Sequence, residues 1–151
     1  MSLGSRLPTL FGRATLVSDG HNTLNDSVRA LRELCALPES VRTTREAELR
    51  TSFEGFAARV LAHFALEEGG GYFGTLAKES PELVDQIAHL KGEHRAMKTD
   101  LSNLSGSSGA FPGSSAFVTA VGRLLDQFEA HEQREARVLE RFFLAETKDA
   151  G

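Results

Sequence analysis

Two segments of the chain repeat one spacing of histidine and glutamate. His63 precedes Glu67 by four residues, and His131 precedes Glu135 by the same interval. Residues four apart on an α-helix lie on one face, about one turn from each other, so each pair would project together. Neutral imidazole is a common metal ligand, and a carboxylate can bridge two cations. The spacing therefore indicates metal ligands presented in pairs from two helices.

The first pair continues an apolar stripe. Phe53, Phe56 and Val60 precede His63 at steps of three and four residues. The stripe thus becomes polar where a buried core should continue. A buried polar group without a partner costs about 1–3 kcal/mol, so these side chains are expected to find partners inside the fold.

Four of the five histidines lie on four different apolar stripes: His21, His63, His94 and His131. A random scatter would seldom place one histidine on each stripe. The fifth, His89, lies five residues before His94 and therefore about 140° away around a helix. We expect His89 at the surface and the other four in the core.

Breaks in the apolar pattern divide the stripes into four helices. Ser18 or Asp19 can cap the first helix, which ends at Pro38. The second helix begins within residues 39–44 and continues through His63. No segment alternates with a period of two, so strands are not expected.

Glycine, proline and serine mark the later boundaries. The glycines at 69–71 should weaken or bend the second helix, because each costs about 1 kcal/mol in a helix interior. Ser80 followed by Pro81 predicts the start of the third helix, since Pro is tolerated in the first turn. Residues 105–115 are rich in Ser and Gly and predict a loop before the fourth helix.

Four amphipathic helices with short connections predict an all-α fold, an antiparallel up-down-up-down four-helix bundle. His63 lies sixteen residues before the centre of the second turn near Glu79, and His94 lies fifteen residues after it. Antiparallel neighbours would carry these two histidines at one level. We expect residues 1–14 to be a loose lead-in, residues 15–146 to form the domain and residues 147–151 to be a C-terminal tail.

Composition excludes several classes of function. The 151 residues suffice for one domain with a core, and the net charge of −4 gives no broad attraction to nucleic acid or to an anionic membrane. The single cysteine, Cys35, excludes an internal disulfide and fits a reducing compartment. No run of residues approaches a membrane span or a signal-peptide core. We therefore expect a cytoplasmic protein without a nucleic-acid or membrane partner.

Together the stripe residues predict a metal site with six ligands: His21, His63, Glu67, His94, His131 and Glu135. Inward side chains on facing helices are how metal sites are built in helical bundles. Four imidazoles and two carboxylates suit two iron ions that share the glutamates, with Mn or Zn as substitutes. A solvent-derived oxo or hydroxo bridge would complete the pair and leave an open position for a small molecule.

The order of these motifs resembles the hemerythrin-like, or HHE, domain family. The family pattern is a His in the first helix, His-x-x-x-Glu in the second, Glu-His in the third and His-x-x-x-Glu in the fourth. Glu93-His94 supplies the third element here, and the resemblance covers roughly residues 15–143. It implies a non-haem diiron site that binds or reacts with O2, peroxide or NO, or that reports iron, oxygen or redox state.

Two positions differ from the oxygen-carrying members of that family. Those proteins have a second histidine one turn before the third-helix ligand, where this chain has Leu90. They also end with His followed five residues later by Asp, whereas position 136 here is alanine. One iron would then lack a histidine, and whether the site holds one or two metals stays open. The difference favours sensing, peroxide reaction or iron handling over reversible oxygen storage.

Other functions fit the same residues. The bundle can be a metal-dependent regulatory or interaction module, or a vestigial bundle whose His–Glu pairs bond to each other without metal. An oxidase or peroxidase of the ferritin type is disfavoured, because that site uses four glutamates and two histidines in Glu-x-x-His pairs. We therefore expect a metal- or oxygen-binding protein rather than a dedicated enzyme.

Four residues beside the stripes are secondary candidates. Glu68, Glu93 and Glu132 each lie next to a better-placed residue and are weaker candidates for an extra ligand. Tyr72 follows the glycine run and can line the site as a donor or ligand, although packing at the edge of the core is the favoured role.

Overall fold

A computed structural model describes residues 23–69, 72–105 and 112–150. Within these ranges the chain is helical apart from short turns, and the described residues contain no strand. The all-α prediction is confirmed. His21 and residues 70 and 71 lie outside the described part of the chain.

The described helices follow one another through short connections. They are α1 (residues 23–35), α2 (Glu39–Arg42), α3 (Glu46–Gly69), α4 (Tyr72–Glu79), α5 (Val84–Ser105) and α6 (Ser115–Ala150). Two 3-10 turns, Thr43–Arg45 and Pro81–Leu83, lead directly into α3 and α5. Among α2 to α6, the most extensive contact joins α5 to α6.

Local chemistry explains most helix ends. Ser80 has the non-helical angles φ −134° and ψ 80°, and Pro81 then occupies the first turn, as the Ser-Pro pair predicts. α5 ends at Ser105 and α6 begins at Ser115, in agreement with the predicted loop. α6 continues to Ala150. The division into lead-in, domain and tail stays a prediction.

The core consists of two apolar clusters. The larger one joins residues of four helices and includes two edge-to-face ring pairs that connect α3 to α6, Phe53–Phe117 and Phe56–Phe128. The smaller cluster forms around Tyr72 and Phe73 of α4.

A layer of polar side chains separates the two clusters. In α5, Leu90 belongs to the smaller cluster and Met97 to the larger one, and His94 lies between them. α6 repeats this order, with Phe128 in the larger cluster and Val138 in the smaller one. The helices therefore hold the polar residues at one level of the core. No helix among the described residues has the length and apolar character needed to cross a bilayer.

Candidate metal centre

Four side chains from three helices meet in the polar layer: Glu67, His94, His131 and Glu135. Each is at most 1% exposed. Each offers one ligand atom, and these four atoms lie within 4.8 Å of one another. Opposite ligands of one metal ion lie about 4–4.6 Å apart at ordinary bond lengths, so the cluster has the size that one ion requires.

The two imidazoles face each other through their Nε2 atoms, which are 3.0 Å apart. His94 Nε2 also lies 3.3 Å from Oε1 of Glu67, and His131 Nε2 lies 3.6 Å from Oε2 of Glu135. Two nitrogens bound at right angles to one metal would also be about 3.0 Å apart. The inner nitrogens and the two carboxylates therefore surround one small space.

The outer nitrogens of both rings bond to glutamates. His94 Nδ1 donates to Oε2 of Glu68 at 2.9 Å, and His131 Nδ1 donates to Oε1 of Glu93 at 3.0 Å. A proton on Nδ1 leaves the lone pair of a neutral imidazole on Nε2. Two such lone pairs at 3.0 Å repel each other unless a proton or a metal cation lies between them.

A positively charged side chain lies next to each of the two outer glutamates, Glu68 and Glu93. Arg134 donates a hydrogen bond to Oε2 of Glu93, and Lys98 Nζ lies 3.8 Å from Oε2 of Glu68. Partial burial would raise the pKa of Glu93, but the hydrogen bonds from Arg134 and His131 outweigh it and lower that pKa. Burial lowers the pKa of His94 despite its bond to Glu68, so the neutral ring is favoured. In this arrangement Glu68 and Glu93 hold the histidines and do not face the inner space.

Among the described residues, no lysine or arginine forms an ion pair with Glu67. Burial, the hydrogen bond with Glu135 and the charges of Glu135, Glu68 and Glu132 raise the pKa of Glu67 to about 12. No described nitrogen makes a well-aligned hydrogen bond to either oxygen of Glu67. Facing carboxylates in a dry interior need a shared proton or a cation. The donor set fits a metal ion.

His63 lies at the edge of this cluster. Its side chain is buried, and its Nε2 atom is 3.6 Å from Oε1 of Glu67 on the same helix. The structure therefore brings four of the six predicted ligands together and places His63 beside them. The sixth, His21, lies outside the described residues, and ligation by all six stays a prediction.

A comparison with models of protein families identifies the family of this chain. The model of the hemerythrin HHE cation-binding domain matches residues 14–143. The chain belongs to this family. Comparisons with curated proteins and with solved structures gave no significant match. The matched region of the HHE domain includes all six predicted ligands.

Aromatic rings cover the histidines of the HHE domain. Phe64 stacks on His94 with ring centroids 3.8 Å apart and planes 12° apart, and Phe73 covers His94 with centroids 5.4 Å apart. Phe64 also meets His131 edge to face. Phe64 itself is fully buried. These rings fix the orientation of the imidazoles and exclude water.

Tyr72 packs in the core, and its role as a donor or ligand at the site stays a prediction. Its ring belongs to the smaller apolar cluster and is 1% exposed. Its buried hydroxyl has no hydrogen-bond partner among the described residues. Burial and the charges of Glu135 and Glu67 raise the pKa of Tyr72 above its ordinary value. Tyr72 thus offers a buried hydroxyl donor without a described acceptor.

Sequence reasoning missed three features of the HHE domain. These are the bond of Arg134 to Glu93, the packing of Phe73 on His94 and the outer roles of Glu68 and Glu93. All three depend on contacts between helices, which the apolar stripes do not encode. The adjacency of Glu93 to His94 and of Glu68 to Glu67 was a visible but ambiguous signal. His89 has a 67% exposed side chain, which agrees with its predicted surface position.

Proposed function

We propose that this HHE domain holds a non-haem diiron centre that binds or reacts with O2, peroxide or NO in sensing, iron handling or redox handling. The observation that carries the proposal is the buried cluster of Glu67, His94, His131 and Glu135, with ligand atoms within 4.8 Å of one another. The facing lone pairs and facing carboxylates make this cluster costly without a cation.

The ligands divide between two iron ions in this proposal. His94 and His131 would hold one ion, His21 and His63 would hold the other, and both ions would share Glu67 and Glu135. The position of His63, 3.6 Å from Oε1 of Glu67, supports the sharing of that carboxylate. Glu68 and Glu93 fix the tautomers of the first pair of histidines, as outer carboxylates do in many metal sites.

A diiron pair would supply electron exchange with a small molecule at an open coordination position. The chain supplies the surroundings of that molecule. Phe64 and Phe73 exclude bulk water, and the Tyr72 hydroxyl donates a hydrogen bond to the bound molecule. Leu90 is buried in the smaller cluster and offers no ligand atom, which favours sensing or reaction over reversible storage.

We further propose that the helices form the antiparallel four-helix bundle expected from the sequence. The approach of His94 Nε2 to Glu67 Oε1, 3.3 Å, supports the equal level of α3 and α5 that an antiparallel neighbour requires. The ion pairs of Arg32 with Asp126 and Glu129, each at 2.9 Å, support α1 as a neighbour of α6. The cytoplasm, where the thiol of Cys35 would stay reduced, is the proposed location.

A second candidate is a metal-dependent interaction module. The buried Glu67, whose pKa is raised, favours it, because metal binding would then control the stability of the whole domain. Thermal unfolding with and without iron, together with a search for bound proteins, distinguishes an interaction module from a diiron centre that reacts with a small molecule. A large metal-dependent shift with a specific partner supports regulation, whereas a reaction with a small molecule and no partner supports the first proposal.

Metal content tests the proposal directly. Protein from iron-supplemented cells should contain two iron ions per chain. The His63→Ala and Glu67→Ala variants should lose two-metal loading, because each removes a ligand, and His89→Ala should retain it. Circular dichroism confirms that each variant is folded. Equal metal content in all three variants, or folded wild-type protein without metal, would refute the assignment.

A further inference from the structure

A groove on the surface separates α5 from α6 at the end of the domain that contains the smaller apolar cluster. It encloses about 370 Å³, which is within the range of about 300–1,000 Å³ for small-molecule pockets. Its lining includes Leu90 and Asp85 of α5, together with Val138 and three arginines of α6. None of the four residues of the inner metal cluster lines it.

The floor of the groove is apolar. Leu90 is 1% exposed and Val138 is 5% exposed, so both contribute to the core and present only an edge to the groove. The aliphatic stems of arginine side chains extend such a surface, since arginine buries its stem while its guanidinium stays in water. A short hydrocarbon chain would therefore find contact along the floor.

The rim of the groove carries positive charge. Arg134, Arg137 and Arg141 lie at steps of three and four residues, which places them on one face of α6. Asp85 is the one carboxylate in the described lining, so the lining has an excess of positive charge. Like charges at this spacing repel each other and destabilise a helix. A bound anion would relieve that repulsion.

Two of these arginines have no acidic partner within the part of the chain that the structure describes. Arg134 already bonds to Glu93, which supports His131. Arg137 and Arg141 form no ion pair with a described residue. Arg141 Nη1 lies 3.2 Å from the side-chain amide of Gln86, which positions the guanidinium at the groove without neutralising it. Guanidinium groups bind carboxylate and phosphate oxygens in paired hydrogen bonds.

We propose that this groove binds a small organic anion. Its carboxylate or phosphate group pairs with Arg137 and Arg141, and its short hydrocarbon chain lies on Leu90 and Val138. None of the four inner ligands lines the groove, so its occupation does not require metal.

Four probes test the chemistry. Isotope-labelled protein is titrated with octanoate, octyl phosphate, octanol and inorganic phosphate, and binding is followed by amide chemical shifts. Saturable binding of octanoate or octyl phosphate, at least tenfold tighter than that of octanol and inorganic phosphate, is expected. The tighter of the first two identifies the head group. Binding of octanol with equal affinity, or no saturable binding of either amphipathic anion, overturns the proposal.

Matched variants test the location. Arg137→Gln combined with Arg141→Gln should weaken binding of the tighter probe at least tenfold, because it removes both unpaired guanidinium groups. Arg50→Gln changes an exposed arginine of α3 outside the groove and should leave the affinity unchanged. Metal content serves as the folding control for all variants. Unchanged affinity in the double variant overturns the proposal even if the metal centre is intact.

Discussion

His94 and His131 each use both ring nitrogens, and this separates the nearby glutamates into two groups. Glu67 and Glu135 approach the inner Nε2 atoms, whereas Glu68 accepts from the outer nitrogen of His94 at 2.9 Å. The outer contacts select the tautomer, and the tautomer directs the lone pairs inward. Residues adjacent in sequence therefore serve different purposes at the centre.

The Glu93→Gln variant tests the outer contacts. Glutamine retains the size of the side chain but removes the charge that pairs with Arg134 and accepts the Nδ1 proton of His131. Loss of such a partner typically lowers metal affinity about 10–100-fold. Competition with a chelator measures the change. Glu140→Gln, an exposed carboxylate on α6, is the control, and equal affinities in the two variants would contradict the outer role.

The Tyr72→Phe variant tests the buried hydroxyl. Without metal the hydroxyl has no described partner, so its removal should raise the free energy of unfolding by about 1 kcal/mol. With iron bound, the content of metal should stay the same and the reaction with peroxide should slow several-fold, because a donor to the bound molecule is lost. Urea unfolding and stopped-flow absorption measure these effects. Lower stability together with an unchanged rate would contradict the role given to Tyr72.

The helices themselves could largely be predicted, because their boundaries have local causes. Pro81 fits only a first turn, and the Ser- and Gly-rich residues 105–115 cannot continue a helix at low cost. The face of each helix also follows from its stripe. Contacts across helices could not be predicted, since a stripe does not determine which residue of α6 meets Glu93, and Arg134 lies 41 positions away in the chain.

The packing of α3 against α6 can be tested by a substitution in the core. Phe56 and Phe128 form an edge-to-face pair 5.7 Å apart, and both are fully buried. Phe128→Ala should therefore lower the free energy of unfolding by about 3–5 kcal/mol through lost burial and a cavity. Leu144→Ala removes a residue that is 56% exposed and should change it by less than about 0.5 kcal/mol. Similar effects in the two variants would contradict this packing.

Buried acidic side chains make the free energy of unfolding depend on pH. The pKa of Glu67 is raised from 4.5 to about 12, first by burial and then by Glu135. Burial and the charges of Glu135 and Glu129 raise the pKa of Glu132 to about 7. In the unfolded chain both groups lose their protons near their ordinary pKa values. At pH values between the ordinary and the raised pKa of each group, the folded state holds more protons than the unfolded state.

The metal-free protein should therefore lose stability as the pH rises. Each group lowers the free energy of unfolding by at most about 1.4 kcal/mol per pH unit between its two pKa values. The contribution of Glu132 ends near pH 7, and that of Glu67 continues above it. Urea unfolding between about pH 5 and 8 measures the slope. Glu67→Gln should flatten it, and a stability that rises with pH would contradict the raised pKa values of these buried carboxyl groups.

Bound iron would remove the pH dependence of stability, because the metal would take the place of the proton on the buried carboxyl group. Metal binding requires ionised carboxylates and neutral histidines, so loading should release protons and become tighter as the pH rises. The core could then tolerate its polar layer between two apolar clusters. The arrangement of the whole molecule thus agrees with a domain that is completed by metal.

The most direct test of a diiron centre is the visible absorption spectrum of the iron-loaded protein before and after addition of O2 or peroxide. Two iron ions per chain should give the charge-transfer absorption of a bridged iron pair, and the added molecule should change it. The Glu67→Ala variant should lack this absorption. A folded wild-type protein with no iron-dependent absorption, or with a spectrum that neither molecule changes, would contradict the account.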